Sequence, residues 1–399
     1  MELGSATRLP PAPRESHPPE RYGGEALRRM RRIALAAALL ALIPAAYSYV
    51  HTIVEPSNSS LGVRSVEWLR EHGAAGLVSQ IESTYYSLTA PSKGGATLRA
   101  LPQVGYGTAA QARAQRLQAQ RLAAASYRPP RVAPLIHPAL GGEGVWRATR
   151  PGLGTGAPLL ITTLRNQPEY PRVVAGLAWI DTKRTKVTLN PGRQEPSVPI
   201  PRGSMDVPQA RRGKLLASFN SGFKLSDSHG GFALNGHTYA TMQDGQATIV
   251  GYSDGRVDVI DWQYGPRAPS SVSFARQNLP LLVNQGRPSP NLENSEWGAT
   301  VGNAVLVWRS GIGVDRHGNL IYAAGEDQSV GSLADTLAHA GAVRAMELDI
   351  NSYWVSFITY GAPGAEDPKN LLPAMERPDT RYLEPDDRDF FAVYSRSEG

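Results

Sequence analysis

The 399-residue chain contains no cysteine, which excludes thiol nucleophiles, disulfides, iron–sulfur clusters and Cys-ligated zinc. Its chemistry must come from hydroxyl, carboxyl, His and Arg or Lys groups. Charge is scarce as well: only 19% of residues are charged, whereas glycine and proline number 40 and 32, so loops and extended connectors are plentiful. The signatures H-E-x-x-H and G-x-x-x-x-G-K-[ST] are missing, which disfavours a zinc protease and a P-loop ATPase. Gly152-Leu-Gly154-Thr-Gly-Ala157 matches G-x-G-x-x-A, but it precedes an apolar strand instead of joining strand to helix, so the dinucleotide reading is rejected.

The net charge of +6 would suggest a nucleic-acid binder until the charges are assigned to segments. Residues 151–399 hold 23 Lys and Arg against 26 Asp and Glu, so the basicity belongs to the N-terminal part. There it matches an anionic membrane surface or envelope polymer, and no nucleic-acid partner is expected.

Residues 1–32 read as a disordered cytoplasmic tail, with Pro10, Pro11, Pro13, Pro18 and Pro19 and little apolar surface. Residues 33–54 contain no Asp, Glu, Lys or Arg, and about 22 helical residues span a hydrocarbon core of roughly 30 Å. This predicts a single-pass anchor in the cell membrane. Arg28, Arg29, Arg31 and Arg32 precede it, which keeps the N-terminus cytoplasmic and everything after Val54 extracytoplasmic. A cleaved signal peptide at Ala46-Tyr47-Ser48 is the rival, but the leading segment is long and the apolar run continues past that point.

Residues 55–140 are expected to form juxtamembrane helices over 61–90, a solvated helical spacer over Thr108–Ser126 and a Pro-rich connector. The remainder, 141–399, predicts one strand-rich catalytic-type domain of α+β (mixed α/β) class with few helices. Strand-like runs occur at Leu159–Leu164, Val173–Ile180, Lys186–Leu189, Leu215–Phe219, Ala247–Val250, Val257–Ile260, Ala304–Trp308, Leu320–Ala323 and Ala345–Ile350. One helix is clear, with Ser332 as its cap, Asp335 completing a capping box and Gly341 at its exit.

Three segments run from an apolar strand into polar residues and glycines, a pattern that aims side chains into a cleft. In Leu215–Lys224, Asn220 offers an amide, Lys224 a charge, and Gly222 a turn or a close backbone approach. His229, in Asp227-Ser-His229-Gly-Gly231, can close over the same cleft. In Val305–Val314, Arg309 follows a buried run ahead of Gly311 and Gly313; such an arginine forks onto a phosphate or onto a structural carboxylate. In Arg344–Asn351, period two places Met346, Leu348 and Ile350 in the core and Glu347, Asp349 and Asn351 on the opposite face. That face reads as a catalytic carboxylate pair, an exposed strand face or a divalent-cation site with three oxygen ligands.

Taken together, Asn220-Ser-Gly222-Phe223, Arg309-Ser-Gly311-Ile-Gly313-Val, the helix near Ser332–Ala340 and Ala345-Met-Glu-Leu-Asp349 resemble the phosphodiester glycosidase family, that of the N-acetylglucosamine-1-phosphodiester α-N-acetylglucosaminidases. The resemblance runs from about Leu159 to Tyr394, and Arg276–Pro280 and Trp308–Val314 look like bacterial members. The family's Asn-Gly-Gly-Phe stands here as Asn220-Ser-Gly-Phe223, and its Leu-Asp-Gly-Gly-Gly-Ser as Leu348-Asp349-Ile-Asn351-Ser352.

The resemblance implies an extracytoplasmic hydrolase that cleaves the anomeric C–O bond of sugar 1-phosphodiesters in cell-wall glycans or their fragments. Asp349 is then the acid/base or nucleophile, Glu347 the second carboxylate and Arg309 the phosphate ligand. Asn220, Gly222, Lys224, His229, Gly311, Gly313 and Asn351 bind substrate. No cofactor or metal is expected, with a cation on Glu347, Asp349 and Asn351 as the unfavoured variant. The alternative is a non-catalytic glycan- or phosphoglycan-binding protein tethered to the membrane.

Overall fold

The computed structural model describes residues 23–106, 127–150, 156–292, 297 and 306–396; the Pro-rich tail, the 108–126 spacer and most of the glycine run at 152–157 lie outside the described residues. The chain divides into two compact units, Met1–Glu55 with Leu61–Trp68, and Pro56–Ser60 with Leu69–Gly399.

The first unit is built on the helix Gly23–Val54, with Pro44 inside it. Its Leu27–Val54 stretch is long and apolar enough to cross a membrane. The helix Leu61–Leu69 follows, and Trp68 meets the edge of Tyr49 at 5.2 Å while donating to Ser48 Oγ at 3.1 Å. Arg64 caps the long helix by donating to the carbonyl of Glu55 at 2.8 Å.

The second unit is strand-rich, α+β as expected, with three antiparallel sheets. The largest has eight strands in the order Arg147–Ala148, Leu159–Arg165, Val174–Ile180, Leu320–Gln328, Val307–Asp315, Ala342–Glu347, Val283–Asn284 and Arg287–Pro288. A five-stranded sheet runs Glu366–Asn370, Phe357–Ala362, Leu215–Asn220, Phe390–Ser395 and Thr185–Asn190. Another runs His237–Ala240, Phe232–Leu234, Val272–Gln277, Ala247–Tyr252 and Val257–Asp261.

Period two explains how these sheets stack. Phe391 and Val393 point into a core shared with Ile312, Tyr322 and Met346 of the large sheet, whereas Phe390, Ala392 and Tyr394 face a separate cluster with Val207 and Tyr382. The opposite face of the large sheet carries Ile321, Ala323 and Ala345 against Leu333 and Leu337 of the helix Val330–His339. The large sheet is thus sandwiched between a helix and a second sheet.

Two local expectations change. The helix is capped by Ser329, one turn before the expected Ser332; Ser332 serves as the reciprocal partner of the box, and Asp335 takes no part. The central strand is Val307–Asp315, later and longer than Ala304–Trp308, and every residue in it is buried.

Helix and strand approach closely because Gly311 has no side chain: a Cβ there would stand 2.9 Å from Leu337 Cδ1 and 2.9 Å from the Met346 carbonyl. A Cβ on Gly313 would stand 2.8 Å from both Ala342 Cβ and the Arg344 carbonyl of the neighbouring strand. These glycines, expected to face substrate, stand instead where the helix and the adjacent strand pack close. Gly311→Ala is expected to destabilise the domain by about 1–3 kcal/mol through overpacking, read as an earlier urea midpoint with an unchanged slope.

Candidate active site

The polar residues converge at one edge of the stacked sheets. Leu215–Asn220, Val272–Gln277 and Ala342–Glu347 end there, and Val307–Asp315, Phe357–Ala362 and Phe390–Ser395 begin there. Antiparallel register brings the groups together: Gly311 opposes Glu347, Phe219 opposes Phe357, and Asn220 opposes Phe390.

Asp349 lies just past its strand and is 4% exposed. Its Oδ2 sits 3.3 Å from Arg388 Nη2, and its Oδ1 accepts the Asn351 N–H at 3.0 Å. Burial pushes this carboxyl up to about 6, against the pull of Arg388, of the Asn351 and Ile350 amides and of Arg381. Glu347 is wholly buried; Oε1 accepts from Arg309 Nη1 at 2.5 Å, and Oε2 has no hydrogen-bond partner among the described residues. Burial drives Glu347 up to about 7, with Arg309 opposing and Asp349 adding to the rise.

Arg309 is wholly buried too. Besides Glu347 it donates to the carbonyls of Trp297 at 3.1 Å and Gln328 at 3.2 Å. Of the two sequence readings, the structure realises the structural carboxylate pair. The guanidinium expected on phosphate meets Glu347 through Nη1.

Asn220 is saturated by protein. Its Oδ1 accepts from Tyr322 Oη at 2.9 Å and the Ser356 amide at 3.0 Å, and its Nδ2 donates to the Ser221 carbonyl at 2.8 Å and to Ser310 Oγ at 3.0 Å. Ser310 Oγ in turn donates to the Asp349 carbonyl at 3.0 Å and accepts the Asp349 N–H at 3.1 Å. Asn220 therefore positions the Asp349 backbone through Ser310.

Gly222 is explained by close approach, since a Cβ there would stand 3.0 Å from Asn278 Cγ. That amide is immobilised by donating to the carbonyls of Glu347 and Leu348, both at 2.8 Å, and by accepting from the Phe223 amide at 3.2 Å.

The remaining expectations separate. Lys224 pairs with Glu71 at 3.0 Å. His229 is exposed, in a left-handed conformation with φ 52° at the end of the single turn Leu225–Ser228. Glu347, Asp349 and Asn351 do not share a strand face: the strand stops at Glu347, and Asn351 Oδ1 accepts the Tyr353 amide at 2.9 Å. The three side chains face three different partners: Arg309, Arg388 and the Tyr353 amide.

Several residues of the site escaped the sequence reading. Arg388 leans over Trp354 at 5.0 Å, and Arg381 and Arg377 approach the same ring at 5.3 and 5.5 Å. Arg381 forks onto Asp386 at 2.7 and 3.0 Å, and Asn58 Nδ2 adds a bond to Asp386 at 2.9 Å. Burial alone would raise the Asp386 carboxyl, but Arg381 overrides it and holds it below its usual value. Arg276 clamps Asp389 at 2.8 Å while donating to the Phe223 carbonyl at 2.5 Å. Ser221 Oγ and Asp389 Oδ1 are buried without hydrogen-bond partners among the described residues. The one available signal was the charge run Asp386-Asp387-Arg388-Asp389 directly before an apolar strand.

Comparison with known proteins bears out the family resemblance: the phosphodiester glycosidase family model matches residues 211–349, which hold Asn220, Arg309, Glu347 and Asp349. No curated protein matches the chain. Among solved structures, a hypothetical protein from Synechocystis is similar at 17% identity and TM-score 0.32, over 56% of this chain and 59% of that one. The chain therefore spans less than two thirds of that protein's length. The catalytic domain of zebrafish N-acetylglucosamine-1-phosphodiester alpha-N-acetylglucosaminidase, auto-inhibited by its pro-peptide, is similar at 13% identity and TM-score 0.40, over 75% of this chain and 97% of that one.

Proposed function

We propose, from a chain whose residues 211–349 match the phosphodiester glycosidase family, that the Asp349 site hydrolyses a sugar 1-phosphodiester at its anomeric C–O bond. The observation that carries this reading is a pair of buried carboxyls two residues apart, raised to about 6 and about 7, each held by a different arginine. Environments that give neighbouring carboxyls different affinities for a proton are how one site supplies both an ionised and a protonated group. Near pH 6.5 Asp349 is mostly ionised and serves as nucleophile or base at the anomeric carbon. Glu347, still largely protonated, is the acid, and Arg388 beside Asp349 is the cation for the departing phosphate. A phosphodiester leaves readily, so charge neutralisation and support of an oxocarbenium-like centre are the main tasks. The partnerless Ser221 Oγ, Asp389 Oδ1 and Glu347 Oε2 are groups that sugar hydroxyls would satisfy.

The Leu27–Val54 helix, with Arg28, Arg29, Arg31 and Arg32 in its first turns ahead of the apolar run, supports a domain held at the membrane on the extracytoplasmic side. Its substrate there is a cell-envelope glycan or a fragment of one. The burial of Asp349 favours a second reading, a tethered phosphoglycan-binding protein without turnover.

The test is release of free sugar from a panel of sugar 1-phosphodiesters by the detergent-solubilised chain between pH 4 and 9. The expected kcat/KM profile is bell-shaped, rising through about pH 6 as Asp349 ionises and falling above about pH 7 as Glu347 loses its proton. Binding of the panel without release would replace the hydrolase by the tethered binder.

A further inference from the structure

We propose that a second anion site lies away from Asp349, in an open cavity of about 500 Å³, and that it holds a phosphate of a polymeric, phosphodiester-linked chain. Three turns build its walls: Thr182 and Lys183 after Val174–Ile180, Asp254–Asp258 at the tip of the Ala247–Tyr252 and Val257–Asp261 hairpin, and Val314–Gly318 at the tip of the Val307–Asp315 and Leu320–Gln328 hairpin. Arg344 and Arg396 complete it.

The lining carries five cations, Lys183, Arg256, Arg316, Arg344 and Arg396, against three carboxylates, Asp254, Asp258 and Asp315. Each carboxylate is already engaged. Asp254 pairs with Arg256 at 2.8 Å and Asp258 with Arg344 at 2.7 Å. Asp315 is filled by neutral donors: its Oδ1 accepts the amides of His317 at 2.8 Å and Asn319 at 2.9 Å, and its Oδ2 accepts from Trp179 Nε1 at 3.2 Å. Arg396 donates to the carbonyls of Thr185 at 2.7 Å and Gly255 at 2.6 Å. Lys183 and Arg316 are exposed and enter no ion pair among the described residues. Lys183, Arg316 and Arg396 thus stand against Asp315 alone, a net surplus of two positive charges on an open concavity, and two of the three cations are guanidinium groups whose planar fork suits phosphate oxygens better than a point charge does. Fixed walls and a surplus of one sign focus the field in the cavity and raise the local concentration of anions.

The placement selects a polymer. Ser310, hydrogen-bonded to Asp349, and Asp315, in the cavity wall, lie on one strand five residues apart, roughly 17 Å at about 3.3 Å per residue. A monomeric sugar 1-phosphodiester seated at Asp349 would not reach the cavity, so one ligand that engages both must be a chain carrying phosphates at least that far apart. The identity of that chain rests on the glycosidase reading; the binding of phosphate in the cavity does not.

The test titrates inorganic polyphosphate into the solubilised full chain, comparing Lys183→Ala/Arg316→Ala with the charge-matched control Arg147→Ala/Arg267→Ala. The cavity variant is expected to bind about tenfold more weakly, with a shallower dependence of log K on log salt because fewer counterions are released, and the control is expected to match the parent. Equal loss in both variants, or equal binding of hyaluronate, a carboxylate chain, would overturn the site. Hydrolysis gives the second arm: KM for a phosphodiester-linked glycan polymer rises about tenfold in the cavity variant, while kcat and the KM of a monomeric sugar 1-phosphodiester stay as in the parent. A rise on the monomer as well would overturn the polymer assignment. Absence of any hydrolysis would sink the glycosidase reading, and the polyphosphate titration would still decide the cavity.

Discussion

Asp349→Asn is expected to lower kcat on a cleaved sugar 1-phosphodiester by about 10²–10⁴-fold, the range typical of a lost acid–base group, and to make the protein more stable at pH 8 relative to pH 5 than the parent is. Both effects follow from one fact: the folded structure holds this carboxyl at about 6, above its unfolded value near 4. A carboxyl raised in this way binds its proton more tightly folded than unfolded. Its contribution to stability is therefore fully present below about pH 4 and is lost as the pH rises through about 6. The amount at stake is on the order of 3 kcal/mol, from about two pKa units. Asparagine does not titrate, so the variant should be spared that loss. A purely structural role predicts the reverse pattern, a stability loss at every pH with kcat per folded molecule unchanged. Retention of kcat to within tenfold would remove Asp349 from the chemistry.

The residues that sequence reasoning found are those whose role is written in their own neighbourhood. Arg309 and Glu347 stand at the ends of buried apolar runs, and charged groups in such places must be paired. The sequence left open whether Arg309 forks onto phosphate or carboxylate. That choice depends on the register Gly311 to Glu347, which links positions 36 residues apart. The partners of Arg388 and Arg276 were illegible for the same reason carried further: Arg388 meets Asp349 across 39 residues, and Arg276 meets Asp389 across 113. Read locally, Asp386-Asp387-Arg388-Asp389 is a solvated turn. Gly311 looked like a ligand-facing glycine because a helix crossing a sheet leaves no periodic trace in the strand it crosses, and Gly313 because the close approach of Ala342 and Ala345 is a long-range contact. The strand-rich α+β class was legible because alternation and apolar runs recur along the whole domain, and those signals are local.

Arg309→Met should be the most destabilising single change in the site, by about 3–5 kcal/mol, because it leaves a carboxylate in the core with no cation. Glu347 already has one oxygen without a partner; the variant strips the other of its bond from Arg309, which Oε1 receives at 2.5 Å. At roughly 2–4 °C per kcal/mol for a domain of this size, the loss would appear as a fall in melting temperature of roughly 6–20 °C. Its pH dependence is fixed in sign. Arg309 is what restrains the rise of Glu347 above its usual range, so without it the carboxyl is pushed beyond about 7, and stability falls more steeply as the pH is raised through neutrality. Replacing both partners, Arg309→Met with Glu347→Leu, should recover most of the stability, since a buried ion pair exchanged for apolar groups of similar volume is often neutral. Activity should not return with it, because the acid is gone. An Arg309 that instead served as the phosphate ligand would behave otherwise: Arg309→Met would unfold with the parent, lose only substrate affinity, and gain nothing from the second substitution.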